Sequence, residues 1–283
     1  MSDNRVPAVA GAFYPGNEIS LKQMLVHLFN SPSKLADGCS QINFKEIIGI
    51  VSPHAGYQYS GYVAACGYSM LKLYKPSIRR AVIIGPNHHG VGSIVATSRK
   101  AHWTTPLGRV SVDTDGIKKL TRISSLVDLD DSAHEFEHSI EVQIPFLQYI
   151  YGNDIKILPV SMMEQDKSFA IDLGNAISEI LEPQNDVIIA SSDFTHYEPH
   201  SLASKKDLNL IKYAEKLDVD GFYDYIRDNR ITVCGFGPIA TLMTVSKKMN
   251  VSGGILLTYM TSGQITKDYD QVVGYASIAF AKW

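Results

Sequence analysis

The chain has 283 residues, 26 Lys+Arg against 29 Asp+Glu for a formal net charge of -3, 45% hydrophobic residues and only 19% charged ones. That balance excludes a disordered tail or a fibre, and a chain of this length can bury a sizeable core. Without clustered Lys and Arg, nucleic acid is not an expected partner; without an apolar run approaching the roughly 20 residues that span a bilayer, neither is a membrane.

In chain order, Met1 to Arg5 is polar with no apolar segment behind it, so no secretion signal is expected. Leu21, Met24, Leu25 and Leu28 recur at helical spacing, and Ser31 to Ser40 reads as a surface loop. Short β-branched runs follow at Glu46 to Val51 and Ala81 to Ile84, and Lys118, Lys119 and Arg122 read as the solvated face of a helix. Ile140, Ile144, Leu147 and Ile150 predict a helix whose first turn holds Glu137 and Glu141, acids that suit a helix N-terminus. Strands over Lys156 to Val160 and Asp186 to Ala190 alternate with helices over Ser168 to Leu181, Leu208 to Lys216 and Pro238 to Lys248. Glu198 to Ser204 reads as a loop, and strands at Gly254 to Thr258 and Val272 to Phe280 close the chain. This alternation predicts an α/β fold with a largely parallel sheet, organised as one domain over residues 1–283. The three cysteines, Cys39, Cys66 and Cys234, leave an odd thiol and form no CxxC, which argues for a reducing cytoplasm over a disulfide framework or zinc ribbon.

Polar clusters follow directly after three of the strands: Ser52-Pro53-His54-Ala55-Gly56-Tyr57, Gly85-Pro86-Asn87-His88-His89-Gly90 and Ser191-Ser192-Asp193-Phe194-Thr195-His196-Tyr197. Ligands of open parallel sheets bind beyond the carboxyl ends of the strands, so the three loops are expected to converge. Three histidine-bearing loops of one topological type point to a metal, since imidazole suits iron, copper, zinc and nickel. Asp193, Glu137, Glu141 and Cys234 are the candidates for a third ligand. Cys234 precedes a helix that Pro238 could open, a position that favours thiolate. His134, His138 and Glu141 have spacings that would share one face of a helix, although the H-E-x-x-H pattern is missing. A hydrolase using Ser191 or Ser192 with Asp193 and His196 is the rival chemistry, but G-x-S-x-G is absent, as are phosphate-loop and dinucleotide signatures.

Pro-His-Ala-Gly-Tyr at Pro53 to Tyr57, Gly-Pro-Asn-His-His at Gly85 to His89, Glu-His-Ser-Ile-Glu at Glu137 to Glu141, Ser-Ser-Asp-Phe-Thr-His at Ser191 to His196 and Val-Cys-Gly at Val233 to Gly235 together resemble the Memo family. The resemblance implies a three-layer domain similar to the class III extradiol dioxygenases, with helices on both sides of a mostly parallel sheet. It implies a metal, Fe(II) or copper with zinc as a further option, held by His54, His88 and Cys234. Asp193 and His196 then match the remaining reactive residues, His196 standing where the dioxygenases place their acid/base histidine, and His89, Glu137, His138 and Tyr57 are expected around the pocket. A thiolate in place of a carboxylate makes such a site softer and redox-active, so ring cleavage is not the expected reaction. Binding is expected to weaken below about pH 6 as imidazole protonates. The family is also linked to phosphotyrosine peptides and to radical SAM gene neighbours, yet no arginine cluster suited to phosphotyrosine occurs here. The resulting expectation is an oxidoreductase-like metal-binding protein acting on a small molecule. The alternatives are a peptide- or protein-binding module lined by Tyr57, Tyr59, Trp103 and Tyr197, and a metal-dependent hydrolase.

Overall fold

The computed structural model describes residues 3–30 and 43–283, so the expected Ser31 to Ser40 loop and Cys39 fall outside the described residues. Its strands are β1 (Asn4–Arg5), β2 (Glu46–Ser52), β3 (Arg80–Pro86), β4 (Val95–Thr97), β5 (His102–Thr105), β6 (Gly108–Val112), β7 (Val127–Leu129), β8 (Lys156–Met162), β9 (Asp186–Ser191), β10 (His196–Glu198), β11 (Gly253–Thr261) and β12 (Val272–Lys282). The helices are α1 (Glu18–Asn30), α2 (Tyr57–Tyr74), α3 (Thr114–Ile123), α4 (Ser132–Glu135), α5 (Ile144–Tyr151), α6 (Lys167–Ile180), α7 (His200–Glu215), α8 (Val219–Asn229), α9 (Phe236–Lys248) and α10 (Gly263–Thr266). Among the described residues no helix is long and apolar enough to cross a membrane.

The twelve strands form a mixed α/β sheet whose centre, β6-β8-β3-β9-β2, is parallel throughout. Every residue of β3 and β9 is buried, as expected for parallel strands covered on both faces. Helices α1, α2 and α5 pack together on one face, while α3, α6, α8 and α9 pack together on the other. The largely parallel expectation holds, with an antiparallel margin at the C-terminal side, where β12 runs antiparallel to β2, β10 and β11. A β-branched run gives no information on direction, because β12 arrives by a short return from β11 and not through a helical crossover.

All six expected strands form, each longer than the sequence suggested. Helix α8 forms where the sequence marked none, and two further helices depart from expectation here. The first turn of α7 takes in residues expected as loop, because Pro199 caps it and its polar start simply faces solvent. No helix was expected over α2, whose Gly61 and Gly67 weaken the pattern; a Cβ on Gly67 would stand 2.3 Å from Ser277 Oγ, so the glycine is what lets this helix lie against β12.

What matters for the site is the order β3-β9-β2. These neighbouring parallel strands end at Pro86, Ser191 and Ser52, so the three histidine-bearing loops leave the same edge of the sheet side by side. A fourth segment, residues 134–141, is pinned beside them by buried Arg5. Its Nη1 pairs with Glu141 Oε2 at 2.6 Å, Nε donates to the His134 carbonyl at 2.7 Å and Nη2 to the Glu137 carbonyl at 2.7 Å, with the guanidinium 4.3 Å from the Trp103 ring centroid. Glu141 also accepts from Ala8 N, Val9 N and the Tyr14 hydroxyl. Removing one partner of such a pair strands a buried charge, so Glu141→Ala is expected to cost about 3–5 kcal/mol of unfolding free energy, measured by urea denaturation.

Candidate metal centre

His54 sits at the bottom of the cluster with its ring buried. Its Nδ1 lies 2.9 Å from Ser191 Oγ, which gives its own hydrogen to the Ser139 carbonyl at 2.7 Å and accepts from Gln143 Nε2 at 2.8 Å. Ser191 therefore has no hydrogen left for His54, so Nδ1 must be the protonated nitrogen and Nε2 carries the free lone pair. The Gln143 amide is fixed in turn, donating to the Pro53 carbonyl at 2.9 Å and accepting from the Tyr68 hydroxyl at 2.9 Å.

His88 follows the same logic with a different partner. Its backbone N–H donates to Glu137 Oε2 at 2.6 Å and its Nδ1 lies 2.9 Å from Glu137 Oε1, which leaves Nε2 unprotonated. Burial alone would raise the Glu137 carboxyl, but the hydrogen bond and charge of His88, together with His138 and the Ser139 N–H, hold it well below the usual carboxylate range. His138 stacks on His88 with ring centroids 4.7 Å apart and meets His54 edge-on at 5.4 Å; His54 and His88 are 5.1 Å apart. One donor nitrogen from each of His54, His88 and His138 lies within 4.8 Å of the others, a spacing suited to one ion. Burial, then the neighbouring His88 and His138, lowers His54 well below its usual value, and burial lowers His138 to about 4. Both rings thus stay neutral, the ligating form, at lower pH than a free imidazole.

Cys234 reaches the cluster through His54: its Sγ lies 3.1 Å from His54 Nε2 and accepts from Asp193 N at 3.2 Å. Gly235 permits this approach, because a Cβ there would stand 2.4 Å from the Ser191 carbonyl. The thiolate expected from the nearby start of α9 is not favoured: burial, and then the Asp193 carboxylate, pushes the thiol well above its usual value. A bound cation would reverse this, since a coordinating thiol loses its proton.

Asp193 is buried, and its Oδ1 accepts from His54 N at 2.8 Å, so it grips the backbone of that histidine and not its ring. Burial pushes its carboxyl up to about 6 against the lowering effect of that hydrogen bond, leaving a group that can hold or release a proton near neutrality. His196, at the rim, contacts the Thr232 carbonyl through Nδ1 at 2.8 Å and donates its backbone N–H to Thr232 Oγ1 at 2.8 Å. That contact places the proton on Nδ1 and presents Nε2 as a base. The loop is steadied by buried Asp207, which accepts from Thr195 N at 3.1 Å, Thr195 Oγ1 at 2.5 Å and the Tyr259 hydroxyl at 2.8 Å.

Other expectations are corrected. The helix expected to open at Glu137 begins as a short 3-10 turn at Glu141 and becomes α5 at Ile144, so His134, His138 and Glu141 share no helical face. Glu141 is turned to Arg5 and is no metal ligand, while His134 packs on Trp103 with centroids 5.5 Å apart. Tyr57 is buried with its hydroxyl on the Val142 carbonyl at 2.7 Å, and Trp103 is buried in β5, so both are core and not pocket lining. Tyr197 is exposed beside His196. Ser191 and Ser192 are fully buried with their hydroxyls committed to the Ser139 and Asp193 carbonyls, which removes them as hydrolytic nucleophiles. Gln143 and Thr232 escaped the sequence reading: Gln143 lay in an apolar helical pattern, and Thr232 offered only its place two residues before Cys234.

A model of the Memo family, described as Memo-like protein, matches residues 5–279. The chain belongs to the Memo family. Among Memo relatives, the MEMO1 family protein of Nitrosopumilus maritimus is 42% identical over 276 residues, covering 98% of this chain and 99% of the relative. That of Methanopyrus kandleri is 44% identical over 287 residues, with the same coverage. An uncharacterised protein of Escherichia coli K12, solved by crystallography, aligns with a TM-score of 0.54 at 13% identity over 83% of this chain and 99% of that one, a likeness of fold alone. The segments after β2, β3 and β9 that carry the resemblance in the sequence leave the same edge of the sheet.

Two outcomes follow. Ser191→Ala frees the His54 tautomer, so metal affinity is expected to fall about 10–100-fold with the fold retained, as read by competition with a chelator. Burial lowers His134 to about 4, so between about pH 6.5 and 4 the unfolded chain binds a proton there that the folded chain does not. Stability should therefore fall as pH drops through this window, by up to about 1.4 kcal/mol per pH unit from this residue. His134→Gln should flatten the slope in urea titrations run from pH 7 to 4.

Proposed function

We propose that the chain is a non-haem metal-binding redox protein that takes iron or copper and acts on a small molecule reaching the cluster from the exposed His88 side. The observation that supports this reading is the hydrogen-bond logic of the cluster: Ser191 and Glu137 each hold a histidine in the tautomer whose Nε2 is unprotonated, that of His54 facing the Cys234 sulfur. His54 and His88 head the donor set, with His138 beside them and Cys234 Sγ against His54. Three imidazoles and a sulfur fit this pair of metals, since nitrogen suits iron and copper and sulfur favours Cu(I). When bound, such a metal supplies Lewis acidity and one-electron chemistry.

The chain's own residues do the rest. Glu137 and Ser191 orient the donors, Asp193 fixes the backbone of His54, and His196 stands at the rim as a proton acceptor or donor at Nε2. With such a metal bound, Cys234 would be held as a thiolate, and Asp193, whose backbone N–H meets its Sγ and whose carboxyl is pushed up to about 6, would be a group able to hold the released proton.

Protein purified without oxygen and supplied with Fe(II) or Cu(I) is expected to retain a tightly held equivalent by elemental analysis. His54→Ala and His88→Ala should lose it, while Cys234→Ser should lose Cu(I) far more than Fe(II). Wild-type protein that takes up neither metal would overturn the proposal and turn attention to the pocket as a peptide-binding surface.

A further inference from the structure

The proposed centre leaves His89 without a task. It follows His88 directly, at the end of the loop after β3, and the two histidines fall into different donor groups: His88 with His54 and His138, and His89 with Glu137 and His138. We propose that His89, Glu137 and His138 form a second cation site beside the first, suited to a divalent borderline metal such as Zn²⁺. This inference rests on the reading of the His54 cluster as a metal centre.

The donor atoms of the three residues lie within 4.8 Å of one another. Two imidazole nitrogens and one carboxylate oxygen match the ligands that zinc takes in proteins. The Glu137 carboxylate has capacity left for this. Its Oε1 is close to His88 Nδ1, His138 N and Ser139 N, whereas Oε2 accepts only from His88 N, which leaves it a lone pair. Nor is His89 on a loose strand. Asn87 Oδ1 accepts from His89 N at 3.1 Å and Gly90 N at 3.0 Å, and Asn87 Nδ2 donates to the Val91 carbonyl at 2.8 Å, so an exposed ring is carried on a fixed backbone.

A carboxylate has lone pairs enough to serve two close cations, whereas a neutral imidazole has one and serves a single ion at a time. Here Glu137 lies between the two groups and His138 can serve only one of them, so filling one site changes the donors available to the other, and the exposed outer ion is the more weakly held. Tandem histidines then have a physical meaning: one serves the inner ion and the next serves the outer.

The test is titration of the metal-stripped full chain with Zn²⁺ alone against a competing chelator at neutral pH, for wild type, His89→Ala and His54→Ala. Wild type should bind a tight equivalent and then a weaker one, His89→Ala should lose only the weaker one, and His54→Ala should keep the weaker one. His89 is exposed, so its variant should unfold at the wild-type temperature, which separates loss of a ligand from loss of the fold. A wild type that saturates at one equivalent unaffected by His89→Ala, or a His89→Ala protein that still binds two, overturns the proposal. If instead the single equivalent vanishes in His89→Ala and survives His54→Ala, the outer site stands and the inner reading falls.

Discussion

Because the Ser191 hydroxyl has one hydrogen and gives it to the Ser139 carbonyl, the proton on the His54 ring is forced to Nδ1 and the lone pair to Nε2. The rest of the cluster is arranged around that direction. Cys234 Sγ meets Nε2, His88 and His138 approach the same space, and Glu137 does for His88 what Ser191 does for His54. The geometry is costly to hold, since several imidazoles are crowded together and partly removed from water, and their protonation is suppressed as a result. That cost is met by the scaffold: buried ion pairing of Arg5 with Glu141 fixes the segment carrying Glu137 and His138, and Asp207 fixes the loop carrying Asp193 and His196.

Much of this was legible in the residues themselves. The six long strands announce themselves by β-branched runs, because strands covered on both faces have no polar alternation to maintain. Their loops could be placed at one edge by the general rule for parallel sheets, before any contact was known. The short strands β1, β4, β5, β6, β7 and β10 were not legible, since two to five residues of pairing leave little periodicity. Helix α2 was hidden by the glycines that its close packing requires.

Within the site, the sequence identified the histidines but not their working relations. Spacing grouped His138 with His134 and Glu141, whereas the chain between Glu137 and Ile140 is not helical and turns these side chains to different neighbours. His138 joins His54 and His88, His134 goes to Trp103, and Glu141 goes to Arg5. A serine that looked like a nucleophile proved to be a proton-directing partner, and a glutamine inside an apolar run proved to be its support. Such roles depend on which donor meets which acceptor, and that is decided by tertiary approach over separations such as the 137 residues between His54 and Ser191.

The unequal cover of the first two histidines has a kinetic side. His54 is sealed at 2% exposure, whereas the His88 side chain keeps 30% of its surface open. Solvent therefore reaches this pair of rings from the His88 side, and an ion bound between them would enter and leave past that ring and not past His54.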